Sequence, residues 1–176
     1  PILFLDFDGV INDNEEQVTE EAIEVLYRLY SSSKAKIVVI SNWLEDGCLA
    51  IQKRIRQFLS EFGFSEEAID FIDPNFIGEE EYSILPPRIL GIIHYMNEHI
   101  GQEYVILDDQ YQKMYQMLHL HHYQTRQAQG LRYLDEEKIT FQPYSVPISI
   151  PYRHRPLTER ESLTNRLIKV LKKDFS

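Results

Sequence analysis

Apolar positions along the chain follow two alternating rhythms. Short unbroken apolar runs read as strands buried on both faces, and longer stretches with apolar residues every third or fourth position read as amphipathic helices. Ile2–Phe7 is the first run. Thr19 followed by Glu20 and Glu21 is an N-cap with early acids, and Ala22, Ile23, Leu26, Leu29 and Tyr30 then recur at helical spacing. The run KIVVIS, ending at Ser41, is a second strand rich in β-branched residues. The pattern predicts a helix from about Leu44 to Phe62, closed by Gly63. A short strand, IDFID, precedes a turn-rich stretch through Pro74, Gly78 and the acidic Glu79–Glu81.

Pro86 and Pro87 introduce a third helix running to about His99, with Gly101 as its stop. EYVILDD is the next strand, followed by a helix from about Tyr111 and a polar strand near His121–Gln124. This alternation predicts a three-layer α/β sandwich with a mainly parallel, Rossmann-like sheet covered on both faces. Residues 1–150 make this core, and residues 151–176 form a separate C-terminal segment. Ligands of such sheets bind beyond the carboxyl ends of the strands. Asp6 with Asp8, Ser41, and Asp108 with Asp109 all fall there.

A strand running into a turn at Gly9 would by itself leave two solvated carboxylates. The company of Asp6 and Asp8 points further, because three strands deliver polar groups to one rim. Phosphoryl transfer needs a nucleophile, a proton shuttle, a cation for the phosphate oxygens and a divalent metal. A carboxylate at a strand end can attack phosphorus, and a second one two residues on can protonate the leaving oxygen. A serine at the next strand end can bind a phosphoryl oxygen, and a downstream Arg or Lys can neutralise another. Two more carboxylates complete an all-oxygen site, which suits Mg²⁺. The order here is Asp6, Asp8, Ser41, Arg88, Asp108 and Asp109.

In that order the chain resembles the haloacid dehalogenase (HAD) superfamily over about residues 1–131. DFDGV resembles its first motif, D-x-D-G-[VT], and VVISN its second, a strand ending in Ser or Thr. Arg88 in LPPRIL stands where the third motif has Lys or Arg, and VILDD resembles the acidic fourth motif. The resemblance implies Asp6 as nucleophile and Mg²⁺ ligand, and Asp8 as general acid/base whose backbone carbonyl also ligates the metal. It implies that Ser41, Asn42 and Arg88 hold phosphate, and that Asp108 and Asp109 bind the metal directly or through water. An Asp two residues after the nucleophile favours phosphatases over dehalogenases within the superfamily. Arg88 replaces the commoner Lys, and a guanidinium can grip phosphate bidentately.

The spacing between motifs leaves no room for the cap domain that many members carry, either between Asp8 and Ser41 or between Ser41 and Arg88. A capless phosphatase has an open site, able to take phosphate on a macromolecule. Trp43 and Tyr111, near the rim, are placed to flank a phenyl ring, so a protein phosphatase acting on phosphotyrosine is the expectation. The alternatives are a nucleic-acid end phosphatase, a small-molecule phosphatase, or a non-catalytic binding module. A pure scaffold has no physical need for both Asp6 and Asp8.

Two other signals compete. Cys48 to Arg54, CLAIQKR, fits the C-x₅-R spacing of cysteine-dependent phosphatases. Their phosphate loop needs turn residues, whereas Leu-Ala-Ile-Gln-Lys forms helix, and no His precedes Cys48. His119, His121 and His122 suggest a metal, but no second ligand pair accompanies them, and a polar strand edge explains them better.

Composition narrows the setting. A length of 176 residues with 43% hydrophobic positions suits one domain with a sizeable core. No apolar run approaches the roughly 20 residues of a membrane span, and no secretory signal is visible. The chain opens at Pro1 inside a strand and without Met, which reads as trimmed. One cysteine excludes an internal disulfide and fits a reducing, cytoplasmic compartment. The net charge of -10 disfavours nucleic acid as partner. Residues 151–176 hold seven Lys/Arg against three Asp/Glu, net +4, leaving -14 on residues 1–150. Pro143, Pro147, Pro151 and Pro156 lead into a basic amphipathic helix with Leu163, Leu167, Val170 and Leu171 on one face. It is expected to dock on the acidic body, or else to face an anionic membrane surface or a following segment.

Overall fold

The computed structural model describes residues 1–13, 17–41, 44, 49–73 and 85–149. In chain order the elements are β1 (Ile2–Leu5), α1 (Glu20–Ser33), β2 (Lys36–Val39), α2 (Leu49–Glu61), β3 (Ile69–Phe71), α3 (Pro87–Asn97), β4 (Glu103–Asp108), α4 (Gln112–Met117), β5 (His122–Gln124), α5 (Tyr133–Glu136) and β6 (Gln142–Pro143). One sheet orders them β3-β2-β1-β4-β5 with every neighbour parallel. β6 adds to it antiparallel, pairing with Glu103 and Tyr104 of β4. The chain is an α/β protein of Rossmann-like type.

Register is what makes a site. Leu5 lies level with Val39 of β2 and with Leu107 of β4. The residues that follow therefore emerge together: Asp6 from β1, Ile40 and Ser41 from β2, and Asp108 with Asp109 from β4. The pairing continues past the strand limits, since the Asp6 N–H donates to the Leu107 carbonyl at 3.1 Å and the Ile40 N–H to the Leu5 carbonyl at 2.9 Å.

Leu3, Phe4, Leu5, Val38, Val39, Val105, Ile106 and Leu107 are all buried, so consecutive residues of the central strands are covered on both faces. α1 begins where the N-cap predicts, with Thr19 Oγ1 accepting the Ala22 N–H at 3.2 Å. Its Ala22, Ile23, Val25, Leu26 and Leu29 are buried. α3 starts at the proline pair and is buried along nearly its whole length, Arg88 included. A buried arginine in a first turn needs anionic partners close by.

The segment after residue 131, which the apolar rhythm leaves unassigned, closes the molecule. α5 is tied to α1 by Arg132 to Glu21 at 2.9 Å, the Tyr133 N–H to Glu21 at 2.8 Å and Arg28 to Glu136 at 3.3 Å. Tyr144, just past β6, packs its buried ring edge-on against Tyr104 at 5.7 Å. Residues 6–19 and 72–86 connect β1 to α1 and β3 to α3, far short of a further domain. Cys48, the turn-rich stretch 74–84 and the basic segment 151–176 lie outside the described residues. Residues 49–54 of the C-x₅-R stretch are helical, not a phosphate loop. Among the described residues no helix is long and apolar enough to cross a membrane.

Candidate active site

Asp6, the first residue past β1, is 3% exposed. One carboxylate oxygen accepts the Phe7 N–H at 3.0 Å, and the other accepts Arg88 Nη1 at 3.2 Å. The same Nη1 lies 3.0 Å from both oxygens of Asp108, which is fully buried. Asp108 also accepts the Gln110 N–H at 3.0 Å and the Tyr115 hydroxyl at 2.7 Å. Asp109 is half-buried and shares a hydrogen bond with Asp6. Arg88 arrives from α3, 82 positions along the chain from Asp6, and it is this ion pair that lets α3 bury its first turn.

Three carboxylates thus crowd one guanidinium. Burial drives the Asp6 pKa up to about 8; Arg88 opposes the shift, and the charges of Asp108 and Asp109 add to it. Asp109 is raised for the same first reason, burial, with Asp108 adding repulsion and the hydrogen bond to Asp6 opposing. Burial alone would make Arg88 easier to deprotonate, but Asp108 and Asp6 outweigh it and its pKa is raised. The cluster therefore carries an excess of negative charge over its one guanidinium.

The same excess fits a hard divalent cation. Asp6, Asp108 and Asp109 each offer a carboxylate oxygen, all within 4.8 Å of one another. An all-oxygen, electron-rich group of this kind suits Mg²⁺. The Asp8 side chain is not part of it. Asp8 is exposed, and its carboxylate accepts Asn12 Nδ2 at 2.8 Å while Asn12 Oδ1 accepts the Gly9 N–H at 2.9 Å. Asp6 therefore faces inward and Asp8 faces solvent. That division suits a nucleophile and a proton shuttle. Gly9 follows Asp8 with φ +76°, and a Cβ there would stand 2.5 Å from Asp109 Oδ2. Only glycine permits both that backbone and that approach.

Ser41 is buried at the end of β2, on the same rim. Asn42 and Trp43 lie outside the described residues. Tyr111, at φ 63°, precedes α4 and lays its ring 5.6 Å from the Arg88 guanidinium. It covers the cation, a stacking partner in its own right.

Four residues of the site are not marked by the motifs. Asn12 holds Asp8, and its only sequence signal is its place in the same turn, four residues on. Tyr115 is buried and donates to Asp108, though its spacing with Tyr111 and Leu118 reads simply as a helix's apolar face. Thr125 donates to the Gly9 carbonyl at 2.6 Å and ties the loop after β5 to the first turn. His122 Nε2 bonds the Asp108 carbonyl at 2.8 Å, and burial lowers its pKa, so it packs against Tyr115 as a neutral ring. His121 Nε2 bonds the Thr140 carbonyl. Both histidines serve the strand edge, and no metal-ligand group among the described residues includes them.

A parallel sheet with a carboxylate cluster at its carboxyl edge, gripped by a cation from a later helix, defines the haloacid dehalogenase class. The chain belongs to the HAD domain family of Swiss Army Knife RNA repair proteins, whose model matches residues 2–135. No curated protein and no solved structure matches the chain. The match takes in Asp6, Asp8, Ser41, Arg88, Asp108 and Asp109, and supports a hydrolase of phosphatase or nucleic-acid-end-repair type.

Proposed function

We propose that this chain is a Mg²⁺-dependent phosphomonoesterase that removes terminal phosphate from RNA ends through an aspartyl-phosphate on Asp6. The chemistry rests on one observation above all: Asp6 is buried beside Arg88, Asp108 and Asp109 at the sheet's carboxyl edge, while Asp8 stands two residues on at the surface. An Asp6 oxygen attacks phosphorus as the bond from phosphorus to the leaving oxygen breaks, and Asp8 gives that oxygen its proton. Water then attacks the phosphoryl group on Asp6, Asp8 takes the water's proton, and phosphate leaves with Asp6 restored. Arg88 and the Ser41 hydroxyl offset charge on the phosphoryl oxygens. Asp6, Asp108 and Asp109, with the Asp8 backbone carbonyl, would hold Mg²⁺, which supplies the positive charge that keeps Asp6 ionised and neutralises phosphate.

RNA ends are preferred as substrate because of the family's description and the absence of room for a cap. The phosphotyrosine expectation leans on Trp43, outside the described residues, and on Tyr111, whose ring lies on Arg88. The net charge of -10 weakens binding along a nucleic-acid backbone, but an end phosphatase needs to hold only a terminal nucleotide. The test is a panel of 3′- and 5′-phosphorylated RNA, phosphotyrosine and phosphoserine peptides, and sugar phosphates, with Mg²⁺ or EDTA. Phosphate release from an RNA end, stopped by EDTA and by Asp6→Asn, is expected. Release from phosphopeptides alone would replace the RNA reading with the protein one.

A further inference from the structure

Asn12, which holds the Asp8 carboxylate, also lines a cavity of about 320 Å³ together with Phe7, Ile11 and Val18 from the segment between β1 and α1, and Ile51, Arg54, Ile55 and Phe58 from α2. We infer that this cavity seats the unpaired terminal base of the leaving nucleotide; the inference rests on the RNA-end reading above and names the part of the substrate that this site recognises.

Position carries the first step. Asp8 protonates the leaving oxygen, so the body of the leaving group must extend past Asp8, away from phosphorus. Asn12, which lines the cavity, holds the Asp8 carboxylate at 2.8 Å. The cavity therefore begins one hydrogen bond beyond the proton donor. Size carries the second. At about 320 Å³ the space lies at the small end of ligand pockets, room enough for one base.

Chemistry carries the third. The walls are aliphatic and aromatic, with Phe7 and Phe58 edge-on at 6.3 Å. Arg54 and Val18 are exposed at its margin. Bases unstacked from a strand are typically received on aromatic rings and guanidinium planes. The Asn12 amide already serves Asp8 and the Gly9 N–H, so the cavity offers shape and stacking with little hydrogen-bond code. Such a seat accepts any base. An enzyme that works on ends of arbitrary sequence needs that tolerance.

The test compares two short single-stranded RNAs with Mg²⁺ and the full chain: one with an ordinary phosphorylated terminal nucleotide, the other with an abasic phosphorylated ribose there, at the end the enzyme prefers. Loss of the base should lower kcat/KM by roughly 5- to 100-fold, the range of a lost base–aromatic stack. Arg54→Ala, an exposed change that leaves the core alone, and Phe58→Ala should each cost the ordinary RNA several-fold more than the abasic one. Changing the base among A, C, G and U should alter kcat/KM by less than removing it does. Equal turnover of ordinary and abasic ends would overturn the base seat while leaving the end-phosphatase reading intact. No turnover of either RNA, beside turnover of phosphopeptides, would overturn both.

Discussion

Asp6 answers to two opposed demands. Burial and its neighbouring carboxylates keep its proton on, while the attack on phosphorus proposed for it needs it off. Its folded-state pKa of about 8 stands above the ordinary carboxylate value of about 4, so between those pH values the native state binds more protons than the unfolded chain. The stability this group contributes is full below about pH 4 and is lost as pH rises toward 8. In EDTA, Asp6→Asn should therefore raise Tm at pH 7.5 by roughly 2–6 °C, since the amide carries no charge to bury. The difference in Tm between variant and parent should shrink as pH falls to 5. Thermal unfolding across that range checks it, and a variant less stable than the parent at pH 7.5 would contradict the crowding of charge described here. Turnover by the variant should be lost at every pH.

At the scale of elements, the turn after β1 and the end of β4 meet at Gly9 and Asp109. Gly9→Ala forces a Cβ to within 2.5 Å of Asp109 Oδ2 on a backbone at φ +76°. Strain of this kind costs about 1–3 kcal/mol. Because the displaced group is a candidate ligand, the Mg²⁺ concentration for half-maximal activity should rise about 10- to 100-fold, more than any loss of fold implies. A Mg²⁺ titration beside a melting curve separates the two effects; an unchanged Mg²⁺ requirement would remove Asp109 from the metal group. This meeting also marks how far the sequence could be read. The strands, the Thr19 cap and the proline start of α3 are local signals, and each is where apolar rhythm and capping chemistry put it. Asp6, Arg88, Asp108 and Asp109 could be nominated because motif order constrains the rim. Asn12, Tyr115 and Thr125 could not, because their partners lie across turns or on other elements and a side chain's aim leaves no periodicity. α5 and β6 escaped for a similar reason: both are very short, and long-range ties to α1 and β4 hold them.

At the scale of the whole molecule, the RNA-end proposal requires an acidic protein to approach a polyanion. Residues 1–150 carry -14 and residues 151–176 carry +4, with seven Lys/Arg in the latter. Long-range repulsion from the body slows encounter with RNA, and the basic segment is the part of the chain whose charge opposes it. Each phosphate neutralised on a single strand contributes about -0.7 to the slope of log affinity against log salt. With at most seven basic residues available there, the slope of log kcat/KM for end-phosphorylated RNA should be no steeper than about -5. Deleting residues 151–176 should bring that slope much closer to zero, because at the site and its cavity the body then offers RNA only Arg88 and Arg54 amid a repulsion that salt screens. An aryl phosphate, too small to reach past the rim, should be turned over at a similar rate by both chains and so report any damage to the fold. If the deletion leaves the slope for RNA unchanged, the basic segment makes no contact with nucleic acid. Binding of the intact chain, but not the shortened one, to anionic liposomes would then assign its charge to a membrane surface.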